Sequence, residues 1–297
     1  MYNEYRSCRL CPRDCGIDRT KFPGRCGETH EIRAARAALH FWEEPPISMQ
    51  SGSGAVFFSG CSLRCVYCQN REISRGHSGK ILSADRLCEI FFELAGKGAE
   101  NINLVTAAHF LPQVAEAVGK AKKQGFTLPF VYNSSGYEKT ESLRRLDGLI
   151  DIYLPDFKYY GSEAAAEYSS APDYPQAAKE AIAEMFRQRG PARFADSGKM
   201  LSGMIVRHLV LPGETAGAKR ILRYLFRTYG DAVFVSIMRQ YTPLFSDLPK
   251  ALTRRVTDAE YDSVVSYAQS LGIRNAFLQS GESAKESFIP VFDNEGI

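Results

Sequence analysis

Short apolar runs alternate with longer amphipathic stretches along this chain from about residue 50 onward. Most of these runs are continuous and rich in Val, Ile, Leu and Phe, which is typical of parallel strands buried on both faces. The pattern predicts strands at Gly54–Ser59, Asn101–Val105, Leu128–Tyr132, Leu149–Leu154, Met204–Val210, Ala232–Ile237 and Asn275–Gln279.

The amphipathic stretches between these runs predict helices. Ser83 is a favourable N-cap, and Thr257 with Glu260 forms a capping box at the start of a later helix. Two further helices are predicted at Asp173–Arg189 and Ala216–Thr228. Repeated strand–helix units predict an α/β fold of the TIM-like barrel kind. Six or seven units favour a partial, open barrel over a closed barrel of eight.

Composition places few further limits on the fold. The 297 residues include 44% hydrophobic and 24% charged residues, which is ordinary for a globular protein. A net charge of +3 gives no reason to expect a nucleic acid or a membrane surface as partner. The first residues contain no apolar signal segment, and no apolar run is long enough to span a bilayer. We therefore expect a cytoplasmic, reducing location.

Three of the eight cysteines directly follow the first predicted strand. Cys61, Cys65 and Cys68 are spaced C-x3-C-x2-C, which is one thiolate fewer than a 4Fe–4S cluster has irons. One iron would then stay open to an outside ligand. A zinc site is the alternative, but zinc takes four ligands, or three and a water, usually from paired cysteines. Active sites of α/β barrels lie at the carboxyl ends of the strands, where this segment falls.

A second cysteine group precedes the predicted barrel. Cys8, Cys11, Cys15 and Cys26 lie among glycines and prolines in a segment too short to form its own apolar core. Four thiolates on a metal would supply the missing stability, and zinc, a single iron or an iron–sulfur cluster all suit this set. Four free thiols are the alternative. Cys88 has no cysteine neighbour in sequence and is predicted to be a plain buried thiol.

The segment Gly60–Asn70 closely resembles the cluster-binding loop of the radical S-adenosylmethionine (SAM) enzymes. The runs His40–Ser48 and Gly52–Gly60, with the amino-terminal cysteines, resemble the subgroup similar to pyruvate formate-lyase activating enzyme. This resemblance implies a partial (β/α)6 barrel at 51–297 and a cysteine-rich, metal-binding extension at 1–50. It also implies a 4Fe–4S cluster and SAM as cofactors, and flavodoxin or ferredoxin as the reducing partner.

The resemblance also implies residues that hold SAM. The family places an aromatic residue against the adenine and acidic, basic and small polar residues around the methionyl group. Asn133 stands where activating enzymes have an aspartate, and Thr106 and His109 stand where many radical enzymes have a Gly-Gly-Glu element. The predicted cofactor contacts are Tyr67, Asn70, Thr106, His109, Asn133, Ser134, Asp156, Lys158 and Arg207.

Two classes of function follow from these observations. The first is an oxidoreductase that cleaves SAM to a 5′-deoxyadenosyl radical for hydrogen abstraction, with Cys61, Cys65 and Cys68 as its catalytic residues. Its target would be a glycyl-radical enzyme, or else a small molecule or peptide, with Met238–Tyr241 on the substrate side. The second class is an iron–sulfur or zinc protein for electron transfer or scaffolding, which would bind metal without cleaving SAM. An electron carrier has no use for an open iron, which favours the first class.

Overall fold

The computed structural model describes residues 2–279 and 290–297. Ten strands lie in these residues: β1 (Ile32–His40), β2 (Ser53–Phe58), β3 (Lys80–Leu82), β4 (Ile102–Val105), β5 (Phe130–Ser134), β6 (Ile152–Pro155), β7 (Arg193–Phe194), β8 (Met200–Leu209), β9 (Phe234–Met238) and β10 (Ala276–Leu278).

A single mostly parallel sheet forms the centre of the molecule. Its order is β10-β9-β8-β6-β5-β4-β2-β1-β3, with β7 paired to β8. The run from β2 to β10 is parallel throughout, so every carboxyl end in it lies at the same rim. Strand β1 pairs antiparallel with β2, and β3 continues antiparallel beyond β1. The two ends of this sheet do not pair among the described residues, which makes the barrel partial.

Helices occupy the connections between the parallel strands. They are α1 (Pro45–Ser48), α2 (Arg71–Ser74), α3 (Ala84–Gly96), α4 (Leu111–Lys123), α5 (Thr140–Leu143), α6 (Ser162–Ser169), α7 (Tyr174–Arg189), α8 (Thr215–Tyr229) and α9 (Asp258–Leu271). The longer helices bury one apolar face against the sheet, as Phe91 of α3 does against the ring of Phe130 at 5.1 Å between centroids. This arrangement follows from the helical spacing of their apolar residues.

Helix α1 has a different position from the other helices. Ile47 on α1 is fully buried and packs with a cluster that includes Val131, Ile152 and Ile205 from three parallel strands. Since His40 at the end of β1 pairs with Ser53 at the start of β2, the chain enters α1 from the amino ends of the strands. Helix α1 therefore closes the end of the barrel opposite to the carboxyl rim.

The predicted fold is confirmed, and all seven predicted strands are present as β2, β4, β5, β6, β8, β9 and β10. Both predicted caps are also present: Ser83 accepts a hydrogen bond from the Arg86 amide, and Thr257 and Glu260 form a capping box. Cys88 is buried, as predicted. Strand β1 lies within the predicted 1–50 extension and still joins the sheet, while the division at residue 50 stays a prediction.

No helix in the part of the chain that the structure describes combines the length and apolar character needed to span a bilayer.

Candidate functional site

A cavity of about 590 Å³ opens at the carboxyl rim of the parallel strands. Its walls come from the cysteine loop after β2 and from residues at or just beyond the ends of β4, β5, β6, β8 and β9. Nearly all of the predicted site residues line it: Cys61, Cys65, Tyr67, Cys68, Asn70, Thr106, Asn133, Ser134, Asp156, Lys158 and Arg207. Met238, Gln240 and Tyr241 also line it, and their place on the substrate side stays a prediction.

The cysteine loop is shaped by local backbone conformation. Gly60 has φ +80°, and a Cβ there would lie 2.7 Å from Glu28 Cγ and 2.8 Å from the Cys26 carbonyl oxygen. Only glycine fits such a left-handed, crowded position without strain. The Cys61 amide then donates to the Cys26 carbonyl at 3.0 Å, and the Cys68 amide to the Cys65 carbonyl at 3.2 Å. Cys61 and Cys65 are buried, whereas Cys68 is half-buried.

The three thiols influence one another electrostatically. Burial, together with nearby Cys65 and Cys68, raises the pKa of Cys61 to about 12. Burial and Cys65 also raise the pKa of Cys68, while Lys158 acts in the opposite direction. Thiols grouped in this way stay protonated unless positive charge is bound among them, which is what a cationic metal group supplies. The residues present therefore fit an iron–sulfur cluster.

A chain of ion pairs crosses the cavity wall beside this loop. The Asp156 carboxylate accepts from Lys158 Nζ at 2.6 Å and from Arg207 Nε at 2.9 Å. Arg207 also donates to Asn133 Oδ1 at 2.6 Å. Burial alone would raise the pKa of Asp156, but the charges of Arg207 and Lys158 hold it below its usual value. Burial would lower the pKa of Lys158, and the Asp156 charge outweighs it and raises that pKa.

Three of the remaining predicted contacts have features typical of a binding surface. Tyr67 is 7% exposed, and its hydroxyl accepts from Tyr159 at 2.9 Å, which fixes the ring against the cavity. Thr106 has φ 62°, a strained conformation for a β-branched residue of the kind that clusters at functional sites. Asn70 Oδ1 is buried and has no hydrogen-bond partner in the described residues. Such an acceptor is available to a bound ligand.

His109 is placed differently from the other predicted contacts. It is 1% exposed and does not line the cavity; its Nε2 lies 2.6 Å from the Ser59 carbonyl oxygen. Burial, with the nearby Arg19 charge, lowers the pKa of His109 to about 3, so the ring is neutral. His109 thus supports the strand that leads into the cysteine loop.

The amino-terminal cysteines also come together. Burial, with smaller contributions from nearby Cys26, Cys8 and Cys15, raises the pKa of Cys11 to about 12, so the four thiols are neighbours. Buried Arg19 lies beside Cys8, with Nη1 3.7 Å from Cys8 Sγ and 2.7 Å from the His109 carbonyl oxygen. Among the described residues, no three His, Cys, Asp or Glu side chains converge on a single metal-ion position. The second metal stays a prediction.

Glu43 and Glu44 are cavity residues to which the sequence reasoning assigned no role. Glu43 Oε1 accepts from Asn103 at 2.9 Å and from Asn133 at 3.2 Å, and its Oε2 accepts from Arg207 at 3.3 Å. Two adjacent acidic residues ahead of Pro45 and Pro46 were the available signal. Nothing in that pattern reveals that α1 inserts into the barrel.

Comparisons with known proteins agree with this geometry. A model of the radical SAM superfamily matches residues 55–225. The uncharacterized protein MJ0674 of Methanocaldococcus jannaschii is 25% identical over 280 residues, which cover 91% of this chain and 77% of that protein.

Two solved structures share the fold. A radical SAM methyltransferase from Sphaerobacter thermophilus has a TM-score of 0.50 at 14% identity, covering 76% of this chain and 66% of that one. HydG, a maturase of the [FeFe]-hydrogenase, has a TM-score of 0.50 at 15% identity, covering 77% of this chain and 52% of that one. The chain thus spans less than two thirds of either structure's length.

Proposed function

Because the chain belongs to the radical SAM superfamily, we propose that it is an enzyme that reductively cleaves SAM for hydrogen abstraction. Cys61, Cys65 and Cys68 would hold a 4Fe–4S cluster, which when reduced supplies the electron that breaks the carbon–sulfur bond of SAM. The observation that carries this proposal is that the three cysteines share one cavity with the Asp156–Lys158–Arg207 ion pairs.

The protein's own part is to bind and orient SAM. Lys158 would attract the methionyl carboxylate, and Asp156 would hold Lys158 in its charged form, since their nitrogen and oxygen are 2.6 Å apart. Tyr67 would form an apolar wall for the adenine, with Tyr159 and Tyr241 packed edge-on against it. This buried, tyrosine-rich wall would also keep bulk water away from a reactive intermediate.

The proposal is tested by anaerobic reconstitution with iron and sulfide. We expect reduced protein to convert SAM to 5′-deoxyadenosine and methionine, quantified by liquid chromatography. Changing Cys61, Cys65 and Cys68 together to Ala should abolish this conversion while circular dichroism shows the barrel still folded. Cys88→Ala is the matched control, because Cys88 lies apart on α3, and it should retain activity. Undiminished conversion in the triple variant would refute the proposal.

Activation of a glycyl-radical enzyme is the second candidate function. It is favoured by a resemblance in sequence: Asp156 and Lys158, which line the cavity, match the aspartate and the lysine of the Leu-Asp-Leu-Lys segment of activating enzymes. Incubation with candidate glycyl-radical proteins and reduced enzyme should produce a glycyl doublet in electron paramagnetic resonance. Absence of the doublet with every candidate from the same genome would refute this version and leave a small molecule or a peptide as the target.

An acidic electron carrier such as flavodoxin or ferredoxin is the proposed reductant. Burial, followed by the nearby charges of Arg64 and Arg71, lowers the pKa of Arg75, so these three arginines lie close to one another and to Cys68 and Cys65. This basic surface would attract an acidic partner. We expect flavodoxin-driven SAM cleavage to fall with added salt more steeply than dithionite-driven cleavage. Equal salt dependence of the two would argue against the docking surface.

A further inference from the structure

The floor of the cavity has a composition that SAM binding by the rim residues does not explain. Helix α1 enters the barrel from the amino ends of the strands, and Glu43 and Glu44 immediately precede it. Glu43 contacts Asn103, which is in the interior of β4 and not at its carboxyl end. The two glutamates therefore line the cavity from the side opposite to the cysteine loop.

Glu44 is buried without full hydrogen bonding. It is 8% exposed, and its Oε2 has no partner among the residues that the structure describes. Its carboxyl group accepts hydrogen bonds from the side chain of Ser236 on β9 and from the Glu44 backbone amide. A buried carboxylate oxygen without a donor is costly, which makes it a position where a ligand donor gains binding energy.

Asn103 gives a second observation of the same kind. It is fully buried, its amide nitrogen donates to Glu43, and its Oδ1 has no partner in the described part of the chain. Glu43 fixes the orientation of this amide, because a carboxylate oxygen requires a donor. The unsatisfied Asn103 Oδ1 is therefore an acceptor. Asn103 is not among the described residues that line the cavity, so Glu44 is the group that a ligand there would contact.

The charged residues that line the cavity also favour a ligand with hydrogen-bond donors. Among the described residues that line the cavity, the carboxylates are Glu43, Glu44 and Asp156, and the cationic side chains are Lys158 and Arg207. Arg207 is shared between Asp156 and Glu43, and Lys158 is engaged by Asp156. His40 adds no positive charge, since burial lowers its pKa to about 4. Glu44 forms no salt bridge among the described residues; burial raises its pKa, and the nearby Arg207 charge offsets this only in part.

We propose that the cavity floor binds a cationic group with N–H donors, and that the substrate is accordingly of the primary-amine class, with Glu44 as the ligand of that group. This rests on the proposed function, because it assigns the substrate side of the same cavity. An ammonium at Glu44 would neutralise the unpaired carboxylate and supply the missing donor. The remainder of the substrate would then extend toward the cysteine loop.

The test uses saturation-transfer nuclear magnetic resonance with three probes of similar shape: n-butylammonium, n-butanol and butyramide. The reconstituted protein is measured anaerobically, with and without saturating SAM. We expect n-butylammonium alone to bind, and Glu44→Gln to weaken it by about 10-fold or more through loss of a charge-assisted contact. Glu31→Gln, at an exposed position outside the cavity, is the matched control and should leave the affinity unchanged.

Four outcomes would overturn the proposal: no binding of n-butylammonium, equal binding of the alcohol or the amide, unchanged affinity in Glu44→Gln, or loss of SAM binding in that variant. The selectivity among probes is measured on the unaltered protein, so it stands even if Glu44→Gln fails to fold. SAM cleavage without added substrate is recorded separately. Cleavage without amine selectivity would refute the subsite alone, whereas amine binding without cleavage would refute the proposed function.

Discussion

The two cysteine groups have the same ligand chemistry in opposite surroundings. Cys61, Cys65 and Cys68 line a cavity of about 590 Å³ together with Lys158, and Cys68 is only half-buried. None of the amino-terminal cysteines lines that cavity among the described residues; Cys8, Cys11 and Cys26 are buried, Cys15 is half-buried, and Arg19 Nη1 lies 3.7 Å from Cys8 Sγ. The first group can thus accept an outside ligand from the cavity on a bound metal, and the second has no such opening into it. The difference between a reactive site and a structural site thus lies in the residues around the thiols and not in the thiols themselves.

The two groups are nevertheless in direct contact. The Cys61 amide donates to the Cys26 carbonyl at 3.0 Å. Arg13, which lies between Cys11 and Cys15 of the amino-terminal group, donates to the carbonyls of Ser62 at 2.8 Å and Leu63 at 3.0 Å. Metal binding in the amino-terminal segment would therefore also order the loop that carries Cys61.

The largest expected effect separates the two groups by their metal content. With Cys61, Cys65 and Cys68 all changed to Ala, elemental analysis should still find about one zinc, or the iron of one further site, per chain. With Cys8, Cys11, Cys15 and Cys26 all changed to Ala, that metal should be lost. If the quadruple variant still contains the same amount of metal per chain, these four cysteines are free thiols.

A substitution at Asp156 tests whether SAM binds in the cavity beside Cys61, Cys65 and Cys68. Asp156→Ala removes the partner that keeps Lys158 charged and positioned, and should weaken SAM binding by about 1–3 kcal/mol. Iron content should stay normal, because Asp156 holds no metal in this scheme. Asp151→Ala is the control, a carboxylate at the start of the same strand that does not line the cavity. Unchanged affinity in Asp156→Ala, measured by equilibrium dialysis, would reduce the pair to a structural salt bridge.

Arg13 tests the contact between the groups. Arg13→Ala should destabilise the cysteine loop by about 1 kcal/mol, because the carbonyls of Ser62 and Leu63 lose a charged donor. The variant should release cluster iron to a chelator faster than the parent protein. Arg9→Ala, which removes an arginine side chain that is 66% exposed, should not. Equal release rates for the two variants would show that the loop is ordered without the amino-terminal segment.

Glu138 gives the smallest expected effect, on pH dependence. It is buried near Ser134 of the cavity wall, and burial raises its pKa to about 8. The folded state thus favours the protonated form of Glu138. The resulting contribution to stability is fully present below the pKa that Glu138 has in the unfolded chain, and it is lost as the pH rises through about 8. Thermal unfolding should show a steeper loss of stability between about pH 5 and about pH 8 than Glu138→Gln shows. If the stability of the parent protein and that of Glu138→Gln depend on pH in the same way, the raised pKa of Glu138 is contradicted.

Much of the barrel could be predicted because its signals are local. The apolar runs that became β2, β4 and β5 are continuous in sequence, and caps such as Ser83 act on the adjacent turn. Strands β1, β3 and β7 were missed, and β3 has only three residues. The run Ile32–His40 is rich in Ala and interrupted by Arg33 and Arg36, so it gives no clear strand pattern, and β7 has only two residues.

The sequence by itself determined the cysteine spacing, the order of the strands and the aromatic and charged residues that follow them. These are properties of neighbouring residues, and parallel strands then bring their carboxyl ends to one rim. Only the tertiary structure decided that His109 supports the cysteine loop from outside the cavity, and that Glu44 faces into it. The reason is separation along the chain: Glu43 meets Arg207 across 164 positions, and such contacts depend on the packing of whole elements.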